Sequence, residues 1–170
     1  RGRPLMLSCA GQPYIDVRQS LRSFIPAAIP DDLANRMVLH WMHKLTETPL
    51  LHDKVEFDIA LTVWTFDFDT RAPQMLPENV TEDEMGLIRD AYLNMTVHLV
   101  DGRRASVAQQ VSVVNELQAR YEVLTGDQEL SPTLELASEL LENCIELGTI
   151  PFSILARHAF IAKTLLESLR

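Results

Sequence analysis

The sequence predicts an α+β fold, a small antiparallel sheet with one helix, followed by a four-helix C-terminal half. Two patterns carry this prediction. The stretch His52–Asp69, HDKVEFDIALTVWTFDFD, has a period of two: Val55, Phe57, Ile59, Leu61 and Val63 fall on one face, and Glu56, Asp58, Ala60 and Thr62 on the other. After Asn79 the period changes. Apolar residues there recur every three or four positions, in runs opened by capping signals and several closed by glycine.

In chain order, residues 4–10 read as a short strand, and Gly11–Pro13 as a turn. In YIDVRQSLRSFIP, which follows, Ile15, Val17 and Leu21 alternate with Asp16, Arg18, Ser20 and Arg22. That is the pattern of a half-buried strand paired with the first. Asp31 or Asp32 opens a helix to about Leu45, with Leu33, Met37, Val38, Trp41 and Met42 along its apolar stripe and Thr48–Pro49 as its stop. The long strand comes next. From Trp64 its apolar face inverts, so Trp64, Phe66 and Phe68 continue the side begun by Glu56. This is the expectation for a core strand crossing between two layers. Residues 70–79, with Pro73 and Pro77, read as a polar loop.

Four helices follow. Thr81–Glu84 is a capping box ahead of Met85, Ile88, Tyr92, Met95 and Leu99. A second box, Ser106–Gln109, precedes Val111, Val114, Leu117, Tyr121 and Leu124, with Gly126 as terminator. Ser131–Pro132 places a cap before proline at the first helical position. Leu134, Ala137, Leu141, Cys144 and Ile145 then face inward until Gly148 stops the helix. Pro151 opens the last helix, with Ile154, Leu155, Ala159, Ala162, Leu165 and Leu166 inward. The 170 residues suit one domain, with residues 1–76 as its sheet-containing half and 77–170 as its helical half.

Composition narrows the function classes. A net charge of −9 opposes binding to nucleic acid or anionic membranes, both of which need a basic surface. Cys9 and Cys144 have neither metal nor redox spacing and read as buried free thiols of a cytoplasmic protein. No uninterrupted apolar run approaches the roughly 20 residues of a membrane helix. The apolar Leu5–Leu7 is too short for a signal peptide. The opening without Met and the unfinished helix at Arg170 lead us to expect a piece of a longer protein.

Phosphate loops, G-x-S-x-G, H-E-x-x-H and paired C-x-x-C are absent. His40, His43 and His52 lack the fixed spacing of a metal site and read as the edge of an apolar stripe; Asp67 and Asp69 read as solvated. No metal ligand is expected. The binding candidates are Arg18 and Arg22, with Ser20 between them and Ser23 beside them, and the polar pair Arg157–His158 inside an apolar helix. Two guanidiniums and a hydroxyl on one strand face suit a carboxylate or phosphate. The competing expectation is that Arg18 and Arg22 pair with Glu56 and Asp58 across the sheet. Arg157 and His158 must find internal partners or line a cleft.

Three segments, PYIDVRQSLRSFIP, LHDKVEFDIALTVWTFDFD and GTIPFSILARHAFIAKTLLESL, resemble in the same order the middle region of bacterial phosphoenolpyruvate-synthase-like enzymes. The branch that includes the capsule-associated L-glutamine kinase is the most similar, and it usually carries Asn where this chain has Arg22. The resemblance implies a middle domain between an ATP-grasp-like domain and a swivelling phosphohistidine domain. It implies ATP and Mg²⁺ for the full-length enzyme, with no cofactor in this piece. The phosphohistidine motif Gly-Gly-x-x-[Ser/Thr]-His is missing, so none of the five histidines is expected to be the phosphocarrier. The expected role is support of the acceptor site or docking of the other domains of the same polypeptide. The rival is a non-catalytic helical interaction or assembly module.

Overall fold

The structure, a computed structural model, describes residues 6–103, 106–126 and 133–170. The α+β class holds: a two-stranded antiparallel sheet precedes seven α-helices among the described residues, and the C-terminal half is helical. The residues form two compact units. One runs up to Thr96 and takes in Thr164–Arg170; the other is Val97–Lys163.

In the first unit, β1 (Met6–Cys9) pairs with β2 (Gln12–Ile15), Met6 opposite Ile15 and Cys9 opposite Gln12. The pairing follows the expected order. A two-residue loop closes the hairpin, with Ala10 at φ 50° and Gly11 at φ 77°. Such loops need positive φ at both positions, which glycine takes freely and alanine only with strain. The second strand is shorter than its alternation suggested. Asp16 ends it by accepting the Gln19 N–H (3.0 Å) and capping α1 (Val17–Arg22). Arg18 and Arg22 therefore lie on a helix and not on a strand.

Helix α2 (Asp31–Glu47) follows the predicted stripe and buries Leu33, Ala34, Met37, Val38 and Trp41. The long strand expected over His52–Asp69 does not form. Pro49–Leu51 is a 3₁₀ turn, Val55–Ile59 a π turn, and α3 (Phe68–Met75) occupies the end of the stretch and part of the expected polar loop. The period of two survives only as burial and only from Leu61, because Leu61, Val63 and Thr65 are buried while Thr62 and Trp64 are half-buried; Ile59 and Ala60 before them are both buried. Among the described residues no strand pairs with this backbone. Side chains satisfy it instead: the Trp64 N–H donates to Thr96 Oγ1 (3.0 Å), the Phe66 N–H to Ser168 Oγ (3.3 Å), and the Tyr92 hydroxyl to the Leu61 carbonyl (2.9 Å). Helix α4 (Glu82–Val100) starts at the predicted capping box. Glu84 N–H donates to Thr81 Oγ1 (3.2 Å), and Thr81 N–H donates to Glu84 Oε2 (3.0 Å). Ile88, Ala91, Tyr92 and Met95 close the core against which Trp41 is fixed, its Nε1–H donating to the Met75 carbonyl (2.6 Å).

In the second unit, α5 (Val107–Thr125) begins at Ser106, whose hydroxyl accepts the Gln109 N–H. Helix α6 (Leu134–Asn143) is capped by Thr133; the Ser131–Pro132 start lies outside the described residues. Gly148 does not stop this helix. A π turn over Cys144–Thr149 joins α6 directly to α7 (Ile150–Glu167). Pro151 supplies the reason: it has no N–H for the Leu147 carbonyl, so the regular ladder cannot continue through it. The Ile150 N–H reaches back five residues to the Ile145 carbonyl instead. At Gly148 the π turn approaches α5 so closely that a Cβ would stand 3.2 Å from Leu117 Cδ2.

The inward faces assigned to α5 and α6 are overturned. Val111, Val114 and Tyr121 of α5 are exposed, as are Leu134, Leu141 and Ile145 of α6 and its π turn. Leu136, Leu140 and Leu147 are half-buried instead, and Asn143 is buried, its Oδ1 accepting from Arg120 of α5. Both thiols are exposed too, not buried as expected. The continuous helical stretch Leu134–Glu167 is also long and apolar enough, by length and composition, to cross a membrane, which no uninterrupted apolar run had suggested.

Candidate functional site

The predicted site residues fall in two groups, one in each unit. Arg22 Nη2 pairs with Asp31 Oδ1 at 2.8 Å, and Arg18 Nη2 makes a long contact to Asn35 Oδ1 at 3.5 Å. Both arginines thus reach from α1 to α2. The pairing with Glu56 and Asp58 is corrected, because those carboxylates sit in a π turn and not on a facing strand. The Ser23 hydroxyl is used locally, donating to the Ser20 carbonyl (2.6 Å).

In the second unit, Arg157 is half-buried and engaged by other groups of the molecule. His158 Nδ1–H donates to the Ile154 carbonyl (2.8 Å), which leaves Nε2 as a lone-pair acceptor. That nitrogen is buried and has no partner among the described residues. No group of three or more His, Cys, Asp or Glu among the described residues could hold a metal ion. His43 pairs with Glu47 (3.4 Å), and His52 Nδ1 donates to the Pro49 carbonyl. Asp69 is exposed, as expected, and also accepts from Arg89 Nε at 2.9 Å.

His40 and Glu84, both in the first unit, titrate away from their ordinary range. Burial lowers His40, and the positive charge of Lys44 pushes it in the same direction. The Thr81 N–H holds Glu84 below the usual carboxylate range, helped by Arg36, which donates to Glu84 Oε1. The capping box and Arg36 account for that shift.

The chain matches no family model, no curated protein and no solved structure.

The feature with the most capacity to bind is the outer surface of α6, which the sequence reading took for core. Glu135, Glu139, Glu142 and Glu146 follow at steps of four, three and four, which places them along one side of the helix and the π turn. Arg120 on α5 borders this row, but its charge is already engaged. It donates to Glu116 Oε1 through Nε (3.1 Å) and Nη2 (2.6 Å), and through Nη1 to the buried Asn143 Oδ1 (3.2 Å). No cation pairs with the four carboxylates among the described residues. The exposed Leu134, Leu141 and Ile145 form a parallel row beside them. Such a surface offers hydrogen-bond acceptors and apolar area side by side. Helical spacing made the carboxylate row legible in the sequence; the lack of a neighbour over the leucines was not.

Proposed function

We propose that this chain is a non-catalytic middle domain of an ATP-dependent phosphotransferase of the phosphoenolpyruvate-synthase-like type, whose helical unit docks the neighbouring domains of the same polypeptide. One observation supports docking above all. Apolar side chains that ordinarily close a core stand in solvent, with Val123 and Leu134 each 83% exposed, Phe152 69% and Leu141 62%. Exposed apolar area of this extent marks an interaction surface. The phosphotransferase setting, with ATP and Mg²⁺ bound by the other domains, rests on the resemblance of the three segments. Arg18, outside any close ion pair, is the first-unit cation best suited to an anionic acceptor.

Two measurements test the reading. Calorimetric titration of the chain with ATP is expected to show no binding tighter than about millimolar, roughly −4 kcal/mol; micromolar affinity would overturn the non-catalytic role. Amides of α5 and α6 are expected to exchange at least about tenfold more slowly in the full-length protein than in this chain alone. Equal exchange would remove the docking role. The same apolar faces suit a self-assembly module, and concentration-dependent oligomers of the isolated chain would favour that second reading.

A further inference from the structure

We infer that the outer face of α6 takes a basic amphipathic helix, its apolar side on Leu134, Leu141 and Ile145 and its Lys or Arg side chains on Glu139, Glu142 and Glu146. The inference rests on the docking reading above and names the chemistry of what docks.

Charge selects the occupant. The carboxylates repel one another along α6, since residues three or four apart on a helix are neighbours. Arg120 cannot relieve them, because Glu116 and Asn143 hold its guanidinium. An anionic lipid surface or a nucleic acid would add to the repulsion. A neutral apolar partner would press on the leucines while stripping water from the adjoining carboxylates, which is costly without compensating charge. A second copy of the chain meeting this face would set one acidic row against its equal when antiparallel, and against the uncharged Ala137 and Cys144 side when parallel, so neither arrangement supplies a cation. A cationic partner relieves the repulsion and covers the apolar row in one contact.

Spacing selects its form. From Glu135 to Glu146 is eleven positions, about 16 Å at the helical rise. Cations at every third or fourth position of a second helix lying along α6 meet that row, and the same helix presents an apolar stripe on its adjoining side.

The test uses a fluorescent peptide of roughly 18 residues made of Leu and Lys in amphipathic helical order, titrated with the 170-residue chain and followed by anisotropy. We expect saturable binding that weakens about tenfold or more in the triple variant Glu139→Lys, Glu142→Lys, Glu146→Lys. Leu141→Ser should weaken it several-fold. Asp83→Lys, on the exposed start of α4 in the other unit, should leave it unchanged, with circular dichroism confirming that each variant is helical. The inference is overturned if the Leu/Lys peptide fails to bind, if a Leu/Glu analogue binds equally well, or if Asp83→Lys weakens binding as much as the triple reversal. Binding of the chain to neutral phosphatidylcholine vesicles that Leu141→Ser abolishes would assign the face to a membrane and overturn it as well. Peptide failure with exchange protection retained in the full-length protein removes only the basic-helix chemistry. Loss of that protection removes docking itself.

Discussion

Trp41 and Val123 sit on amphipathic helices of similar length, α2 of 17 residues and α5 of 19, yet Trp41 is fully buried and Val123 is 83% exposed. The contrast extends to the units that hold them. The first unit buries Leu33, Met37, Ile59, Leu61, Phe68, Ile88 and Tyr92 to 2% exposure or less. Among the described residues of Val97–Lys163, only Pro151 and Ile161 are buried apolar residues. Isolated helices of three to five turns are marginal in water, and most helical stability in proteins comes from packing an apolar face. The first unit has that packing within the chain. The second keeps its helices with caps, local ion pairs and only partial packing, and leaves its apolar faces open.

The largest expected effect separates the units directly. Trp41→Ala should cost about 3–5 kcal/mol through lost burial and the cavity left behind. Val123→Ala should stay within about 0.5 kcal/mol. Denaturant midpoints for the two variants measure the difference, and equal losses would break the contrast. Next is Tyr92→Phe, which strands the buried Leu61 carbonyl and should cost about 1–3 kcal/mol. The opposite sign is expected at Thr65, whose hydroxyl is fully buried with no partner among the described residues. Thr65→Val keeps the shape and removes the orphaned group, so it should raise the melting temperature, by about 1 kcal/mol in free energy. A lower one would mean that the hydroxyl has a partner.

The smallest effect concerns pH. Because folding lowers the Glu84 pKa, its contribution is complete above the ordinary Glu value of about 4.3 and fades as pH falls below it. Glu84→Gln should flatten that part of the acid-unfolding profile in the first unit. An unchanged profile would remove the capping box as its cause.

Local signals made α2 and the start of α4 legible, because Leu33, Met37 and Trp41 keep helical spacing and Thr81 and Glu84 cap within four residues. Nothing local distinguished a strand from an extended segment at Leu61–Thr65. The alternation in burial is present, but Thr96 and Ser168, far along the chain, take the place of a neighbouring strand. Around Asp16 the alternation predicted a strand, whereas its carboxylate accepts the Gln19 N–H and starts α1. For the binding surface, the spacing of Glu135, Glu139, Glu142 and Glu146 was visible in the sequence. That Leu134 and Leu141 face water was not, since an apolar stripe does not say whether the chain supplies its cover.

The π turn at Cys144–Thr149 amounts to one residue too many in an otherwise regular helix. An α-helix turns about 100° per residue, so the extra position shifts the phase of α7 against α6 by about that angle. The apolar row of α6 is therefore not continued in line by α7, and the acidic row ends at Glu146, since Glu167 is the one acidic residue of α7. Spacing in the peptide chain, as much as side-chain identity, thus determines how many faces this helix offers.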